Sequence, residues 1–249
     1  MLAIDLTGKR ALVTGAGRGV GRGIAHTLAK AGAAVVVNDI GDRADLVATE
    51  ICSAGGVATS SVFDVADWMS VSEAFNELGT IDILVNNAGN AGGDRFPLAS
   101  FVESEPSDWQ PFLQVNLYGV MHCARAALPA MIESGWGRIM TIVSESARTG
   151  EPKLAAYSAA KAGAAGFGRS LAKEVGRHGI TVNSIALGTM APPGSSDPAV
   201  VEKLLRNYPI RRRGDPSDAA GIVAFLASEF ASWITGQTVP VNGGYSMAQ

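Results

Sequence analysis

The chain is 249 residues long, 47% apolar and 17% charged, with a formal net charge of -3. Such a chain can bury one large α/β core, and its weak charge gives no long-range pull toward nucleic acid or an acidic membrane surface. No run approaches the ~18 apolar residues of a membrane span, and residues 1–6 lack the basic start of a signal peptide, so a cytoplasmic protein is expected.

Residues 10–15 form a short apolar run that breaks into Gly15-Ala-Gly-Arg-Gly-Val-Gly21, and 23–30 carries helical patterning stopped by Gly32. Strand, glycine turn and helix in that order let the backbone approach a pyrophosphate, which the free N–H groups at the helix start would meet. Residues 33–38 make a second strand ending in Asp39, where an acid can accept hydrogen bonds from adenosine ribose hydroxyls. Asp39 could instead cap the next helix, but Asp42 and Asp45 can do that equally well. The ribose reading is preferred.

A third strand at 57–63 leads into Asp64-Val65, where a carboxylate could meet an adenine amino group. Asp67 is a plausible cap for a helix over 67–78. A fourth strand at 81–85 runs into Asn86-Asn87-Ala88-Gly89, whose carboxamides can pin loops together or turn the chain. The pattern over 108–131 predicts one long helix with Asn116 in its interior, and so mediocre a helix former there asks for a reason. Cys52 and Cys123 lack metal-ligand spacing and read as reduced, buried and structural.

The fifth strand, 137–143, empties into a loop at Ser144, and a helix follows over 155–176. Tyr157 and Lys161 are four apart and share a face of that helix. A strand end, a loop and a helix face can thus bring a hydroxyl, a phenol and an ammonium together. Moving a phenol from its ordinary pKa near ~10 to neutrality takes roughly 4 kcal/mol, which a close, partly dry Lys161 could largely supply. A sixth strand spans 180–186. The stretch 188–208, rich in Pro, Gly and Ser, breaks the alternation as a substrate lid would. Arg211, Arg212 and Arg213 read as a solvated corner, with no second basic cluster to make a nucleic-acid site. A helix over 216–229 and a strand over 236–241 complete the chain, and Pro240 predicts an edge position for that strand.

Alternating strands and helices imply a single α/β domain over 1–249, a Rossmann-like doubly wound parallel sheet with helices on both faces. Ligands of such sheets bind beyond the carboxyl ends of the strands, where the glycine turn, Asp39, Asp64, Asn86, Ser144 and Gly188 all fall.

With these motifs in this order, the chain resembles the short-chain dehydrogenase/reductase family over nearly its whole length. The resemblance rests on Thr14-Gly-x-x-x-Gly-x-Gly21, Asn86-Asn-Ala-Gly89, Asn116, Ser144, Tyr157-x-x-x-Lys161 and Asn242-Gly-Gly244. It implies Tyr157 as catalytic acid/base, Ser144 as the group that orients and polarises the substrate oxygen, and Asn116 as keeper of a proton-relay water. Lys161 would hold the nicotinamide ribose and lower the Tyr157 pKa. Ser146 competes for the serine role, but Ser144 has the family's spacing to the tyrosine. The resemblance further implies cofactor contacts at Gly15, Arg18, Gly19, Val20, Gly21, Asp39, Asp64, Val65, Asn87, Ala88, Gly89, Gly188 and Thr189. It implies no metal and no role for His26, His122 or His178. Two departures touch the nicotinamide pocket: Leu187-Gly188 replaces the family's Pro-Gly, and Pro192 replaces a threonine whose hydroxyl Thr189 could supply.

The implied reaction is hydride transfer between a nicotinamide cofactor and a secondary alcohol or ketone, a hydroxyacyl or alicyclic thioester among the small-molecule candidates. An NADPH-dependent 3-oxoacyl-acyl-carrier-protein reductase is the alternative within the class, with Arg18 as its support. A catalytically silent nucleotide sensor is the alternative outside it, opposed by the presence of both Tyr157 and Lys161. Asp39 gains a hydrogen bond with NAD and repels the extra phosphate of NADP, a preference of roughly 2–3 kcal/mol, against about 1 kcal/mol returned by Arg18. NAD is therefore expected, with NADP second. The faces of 108–134 and 155–176 and the Asn242-Gly-Gly-Tyr segment resemble the family's subunit contacts, which implies a homo-oligomer, a tetramer by preference.

Overall fold

The computed structural model describes residues 3–89, 99–190, 202 and 205–247. Its seven strands are β1 (Arg10–Val13), β2 (Ala34–Asp39), β3 (Val57–Val62), β4 (Ile83–Asn86), β5 (Gly137–Ser144), β6 (Ile180–Leu187) and β7 (Thr238–Val241). They form one sheet in the order β3-β2-β1-β4-β5-β6-β7, and every neighbouring pair is parallel. Each lies within a few residues of its expected place. β7 is an edge strand, so Pro240, paired with Ala186, costs the ladder nothing on its outer side.

The helices are α1 (Gly19–Lys30), α2 (Arg43–Ser53), α3 (Trp68–Leu78), α4 (Pro106–Leu113), α5 (Gly119–Ser134), α6 (Ser146–Thr149), α7 (Ala155–Val175) and α8 (Pro216–Ala227). Successive strand residues point to opposite faces, so each central strand feeds two cores. Val13, Val37, Val85 and Ile185 pack with Ile24 and Leu28 of α1, Ile51 of α2 and Val223 of α8. Leu12, Val36, Leu84 and Val182 pack with Phe75 of α3, Cys123 and Met131 of α5, and Leu171 of α7. That two-sided burial explains why residues 11–13 of β1 and 83–85 of β4 read as unbroken apolar runs.

The expected long helix differs in an instructive way. It starts at Pro106, where Asp108 accepts the Glu105 N–H at 2.9 Å, and it ends at Ser134. Between α4 and α5 the backbone takes a π turn over Gln114–Tyr118, centred on Asn116. Cys52 also differs: it is exposed, because the buried residues Val47, Ala48 and Ile51 mark the inner face of α2 and Cys52 lies a step around from it. Cys123 is buried, as expected. Most of the proposed lid over 188–208, Pro192 included, lies outside the described residues.

Candidate active site

The strand order reverses between β1 and β4, and the site is built where their carboxyl ends part. Thr14 is 1% exposed, and its Oγ1 accepts the N–H groups of Asn87 and Ala88, each at 3.0 Å. Asn87 returns its Nδ2 to the carbonyls of Thr14 at 2.8 Å and Gly15 at 3.0 Å. On the other side Asn38 accepts the Gly15 N–H at 3.3 Å and donates to the Phe63 and Ser61 carbonyls. The ends of four strands are therefore tied to one turn. Gly15 has φ +61°, and a Cβ there would lie 2.8 Å from the Ala88 Cα, so no side chain fits.

Arg18 precedes α1 with extended backbone, Gly19 and Val20 open that helix, and Gly21 is buried against the turn. This glycine cradle at a helix N-terminus suits a pyrophosphate. Asp39 does not cap α2. Its carboxylate accepts the Gly17 N–H at 3.1 Å, the Ile40 N–H at 2.9 Å and Arg43 Nη2 at 3.1 Å. Asp64 turns its carboxylate to the Ala66 N–H, and Val65 is buried beside it with its carbonyl 3.0 Å from His122 Nδ1. The donor set at the turn, with an acid at the β2 end, fits a dinucleotide.

The second half of the site gathers at the end of β5. Ser144 Oγ accepts the Ser146 N–H at 3.2 Å and the Ser146 hydroxyl at 3.0 Å, and it stands near enough to the Tyr157 phenol to oppose the upward shift of its pKa. Ser146 thus stands behind Ser144 rather than in its place. Lys161 is 3% exposed and donates from Nζ to the Ile142 carbonyl at 2.8 Å, with Nζ 5.9 Å from the Tyr157 ring centroid. Asn116 is fully buried on the π turn, its Nδ2 donating to the Phe112 carbonyl at 3.0 Å. The extra residue of a π turn re-aims the side chains around it, which is the reason Asn116 can sit in a helix interior. A Cβ on Gly89 would lie 2.8 Å from Asn116 Oδ1 and 3.1 Å from Lys161 Nζ, so two separate elements, the π turn and α7, converge on that glycine.

Burial pushes the Lys161 ammonium down to about 8. Burial also raises the Tyr157 phenol above its ordinary value, and the Ser144 hydrogen bond opposes this. The depressed tyrosine expected from its lysine is not found, because burial outweighs the opposing effect of Ser144. Thr189 is likewise already engaged: its N–H donates to Tyr208 Oη and its Oγ1 accepts from that hydroxyl, both at 2.9 Å. Gly188 donates to the Val241 carbonyl at 3.1 Å, and a cavity of about 370 Å³ opens beside both residues under Tyr208 and Asn242. Sequence reasoning passed over Thr14, Asn38 and Arg43 as site residues. Thr14 left a signal as the first residue of the glycine motif, and Arg43 as the i+4 partner of Asp39.

Gly89→Ala offers a direct check on the convergence. Its methyl must displace Asn116 or Lys161, both held in the core, and overpacking of this kind typically costs about 1–3 kcal/mol. A lower melting temperature with at least tenfold lower activity is expected. Unchanged stability and turnover would refute the crowding.

A family model described as enoyl-(acyl carrier protein) reductase matches residues 15–246. The 7alpha-hydroxysteroid dehydrogenase of Escherichia coli K12 is 38% identical over 249 residues, covering 97% of this chain and 95% of that one. A 3-oxoacyl-acyl-carrier-protein reductase of Aquifex aeolicus is 39% identical over 251 residues, covering 98% and 99%. Among solved structures, a gluconate 5-dehydrogenase of Burkholderia cenocepacia in complex with NADP and tartrate superposes with a TM-score of 0.92 at 36% identity, covering 99% of this chain and 98% of that one.

Proposed function

This chain belongs to the short-chain dehydrogenase/reductase family, and from that premise we propose how its residues divide the work. The protein is an oxidoreductase that moves a hydride between a nicotinamide cofactor and the carbinol carbon of a secondary alcohol or its ketone. Bound in the cradle, the nicotinamide supplies the hydride acceptor or donor.

In oxidation, Tyr157 as phenolate takes the hydroxyl proton of the substrate while the hydride leaves the carbinol carbon. In reduction, the Tyr157 phenol gives that proton to the carbonyl oxygen. Ser144 hydrogen-bonds the same oxygen and is itself held by Ser146. Lys161 stabilises the phenolate and hydrogen-bonds the nicotinamide ribose, and Asn116 lies at the inner end of the proton path. Gly15, Gly19, Val20 and Gly21 cradle the pyrophosphate, with Asp39 on the ribose and Asp64 and Val65 at the adenine. Ala88 and Gly89 line the floor. Asn87 serves the cofactor indirectly, since its amide ties the glycine turn in place. The observation that carries this reading is the convergence of buried Asn116 and Lys161 on Gly89 at the carboxyl edge of the sheet, with Ser144 beside the Tyr157 phenol one turn away along α7.

The relatives' names span a hydroxysteroid, a 3-oxoacyl thioester and gluconate, all of which are secondary alcohol or ketone chemistry. Turnover is therefore expected in a screen of these three classes with NAD and NADP. Cofactor binding with no turnover across the three would favour the sensor instead. We take 1–249 as one domain with a lid over 188–208. A cytoplasmic location fits two unpaired cysteines and the absence of a helix long and apolar enough to cross a membrane among the described residues.

Assembly follows from exposed apolar side chains. Trp233 is 97% exposed, and Tyr118 and Met121 project from the start of α5 and the turn before it. Covering them with a second copy favours a homo-oligomer, and by the family's habit a tetramer. Light scattering at micromolar concentration should give a mass well above one chain. A monomer mass would refute this.

A further inference from the structure

We infer that Glu145 is a positioning residue for the reaction: it fixes the short helix that carries Ser146, and through Ser146 it leaves the Ser144 proton free for the substrate oxygen. This rests on the reading of Ser144 as the group that meets that oxygen. Asp39 and Glu145 are the buried acids among the described residues. Asp39 stands at the ribose end of the site, whereas the proton-transfer scheme leaves Glu145 unused. A carboxylate only 3% exposed is costly to bury unless its oxygens are bonded, so its partners are informative.

Those partners join segments far apart in the chain. Oε1 accepts Arg148 Nη1 at 2.8 Å, and Oε2 accepts the Ser246 hydroxyl. Ser246 is tied in turn to the end of β7, where Asn242 Nδ2 donates to the Ser246 carbonyl at 2.9 Å. The backbone of Glu145 is held as firmly. Its N–H donates to the Leu187 carbonyl of β6 at 3.0 Å, and its carbonyl accepts the N–H groups of Arg148 at 2.8 Å and Thr149 at 2.9 Å. Helix α6 is four residues long, too short to keep its shape unaided. Glu145 supplies what it lacks, closing the turn with its carbonyl and strapping it to the C-terminal segment with its carboxylate.

The consequence for Ser144 is a count of hydrogen-bond positions. A hydroxyl has one proton to give and two positions that accept. Ser146, the first residue of α6, fills both acceptor positions of Ser144 Oγ, with its N–H at 3.2 Å and its hydroxyl at 3.0 Å. The Ser144 proton is the capacity that remains, and it serves the oxygen that exchanges a proton with Tyr157. A displaced α6 would take Ser146 away and let Ser144 turn its proton elsewhere. A donor held in advance stabilises that oxygen as charge develops on it, without reorganising during the reaction.

The test is a double-mutant cycle in the full-length protein at saturating cofactor. The probes are a 7alpha-hydroxysteroid, a 3-oxoacyl thioester and gluconate, and kinetics follow whichever the wild type turns over fastest. Glu145→Ala should lower kcat about tenfold or more while the KM for the cofactor stays within about twofold. Placed on Ser144→Ala, the same substitution should cost less than about twofold, because no serine is left to position. An equal loss on both backgrounds overturns the inference, since Glu145 would then act on the fold and not through Ser144. A loss below about threefold on the wild-type background also overturns it. Ser246→Ala keeps the inference testable if thermal unfolding shows Glu145→Ala to be misfolded. It removes one donor from the carboxylate at a partly exposed position, and should cost about threefold on wild type and nothing on Ser144→Ala. A Ser246→Ala loss that persists on Ser144→Ala, or no loss on wild type, overturns the inference likewise. Full activity in Ser144→Ala, or no turnover of any probe by the wild type, is a different result: there the proposed function itself falls, and the role of Glu145 with it.

Discussion

Tyr157→Phe should lower kcat/KM by about 10²–10⁴-fold, the usual cost of losing a positioned acid/base. The substitution is a clean one in this structure. The ring keeps its edge-on packing against Phe112, with centroids 6.4 Å apart at 71°, so the fold loses no volume. What disappears is the hydroxyl that faces Ser144 and exchanges the proton. Affinity for the cofactor, held by the distant glycine turn, should stay close to wild type. Because burial raises the Tyr157 pKa, oxidation, which needs the phenolate, should accelerate with pH, while reduction should hold at neutrality. Steady-state kinetics in both directions measure this. More than a tenth of wild-type activity in the variant would remove Tyr157 from the proton-transfer role.

Lys161→Met should cut activity by ~100-fold and, over a defined pH window, alter stability in a way no surface lysine would. The activity figure follows from charge: at 5.9 Å from the Tyr157 ring and an effective dielectric of about 20, the ammonium is worth about 3 kcal/mol to a phenolate. A loss below tenfold would mean that Lys161 does not support the tyrosine.

The stability effect follows from linkage. Lys161 titrates at about 8 in the folded chain, against 10.5 for a free lysine. Between those values the unfolded chain binds more protons, so wild-type stability rises with pH through the window. The penalty of burying the cation is complete below about 8 and is relieved as pH climbs, by at most about 3 kcal/mol. Methionine, similar in length, carries no such penalty, although it leaves the Ile142 carbonyl without its donor. Wild type should therefore gain on Lys161→Met between pH 7.5 and pH 10 in parallel denaturant titrations. Curves that keep a constant separation would show that Lys161 is not held in a low-dielectric site.

Much of this architecture is legible in the sequence, and the reasons are local. Strands with apolar neighbours on both faces must be written as unbroken apolar runs, which is why β1 and β4 stood out. Glycines without room for a Cβ, as at Gly15, announce a close backbone approach, and a proline late in the last strand announces an edge. The i, i+4 spacing of Tyr157 and Lys161 placed both on one face of α7. Ser144 followed from the end of a strand.

The remainder depended on contacts between segments far apart in the chain. The π turn at Asn116 is a one-residue change of helical winding that a 3.6-residue pattern averages away. Asn38 looks like an ordinary strand residue, and only parallel pairing brings it to the Gly15 amide, as it brings Thr14 to the Asn87 amide. The direction in which the Tyr157 pKa moves depends on burial, which is not written in a four-residue spacing. The charge facing the ribose is the same kind of quantity. Residue types place Asp39 at the end of its strand. The rotation of α2 against the glycine turn sets Arg43 upon it, because a net charge at a site is a sum over everything that packs there.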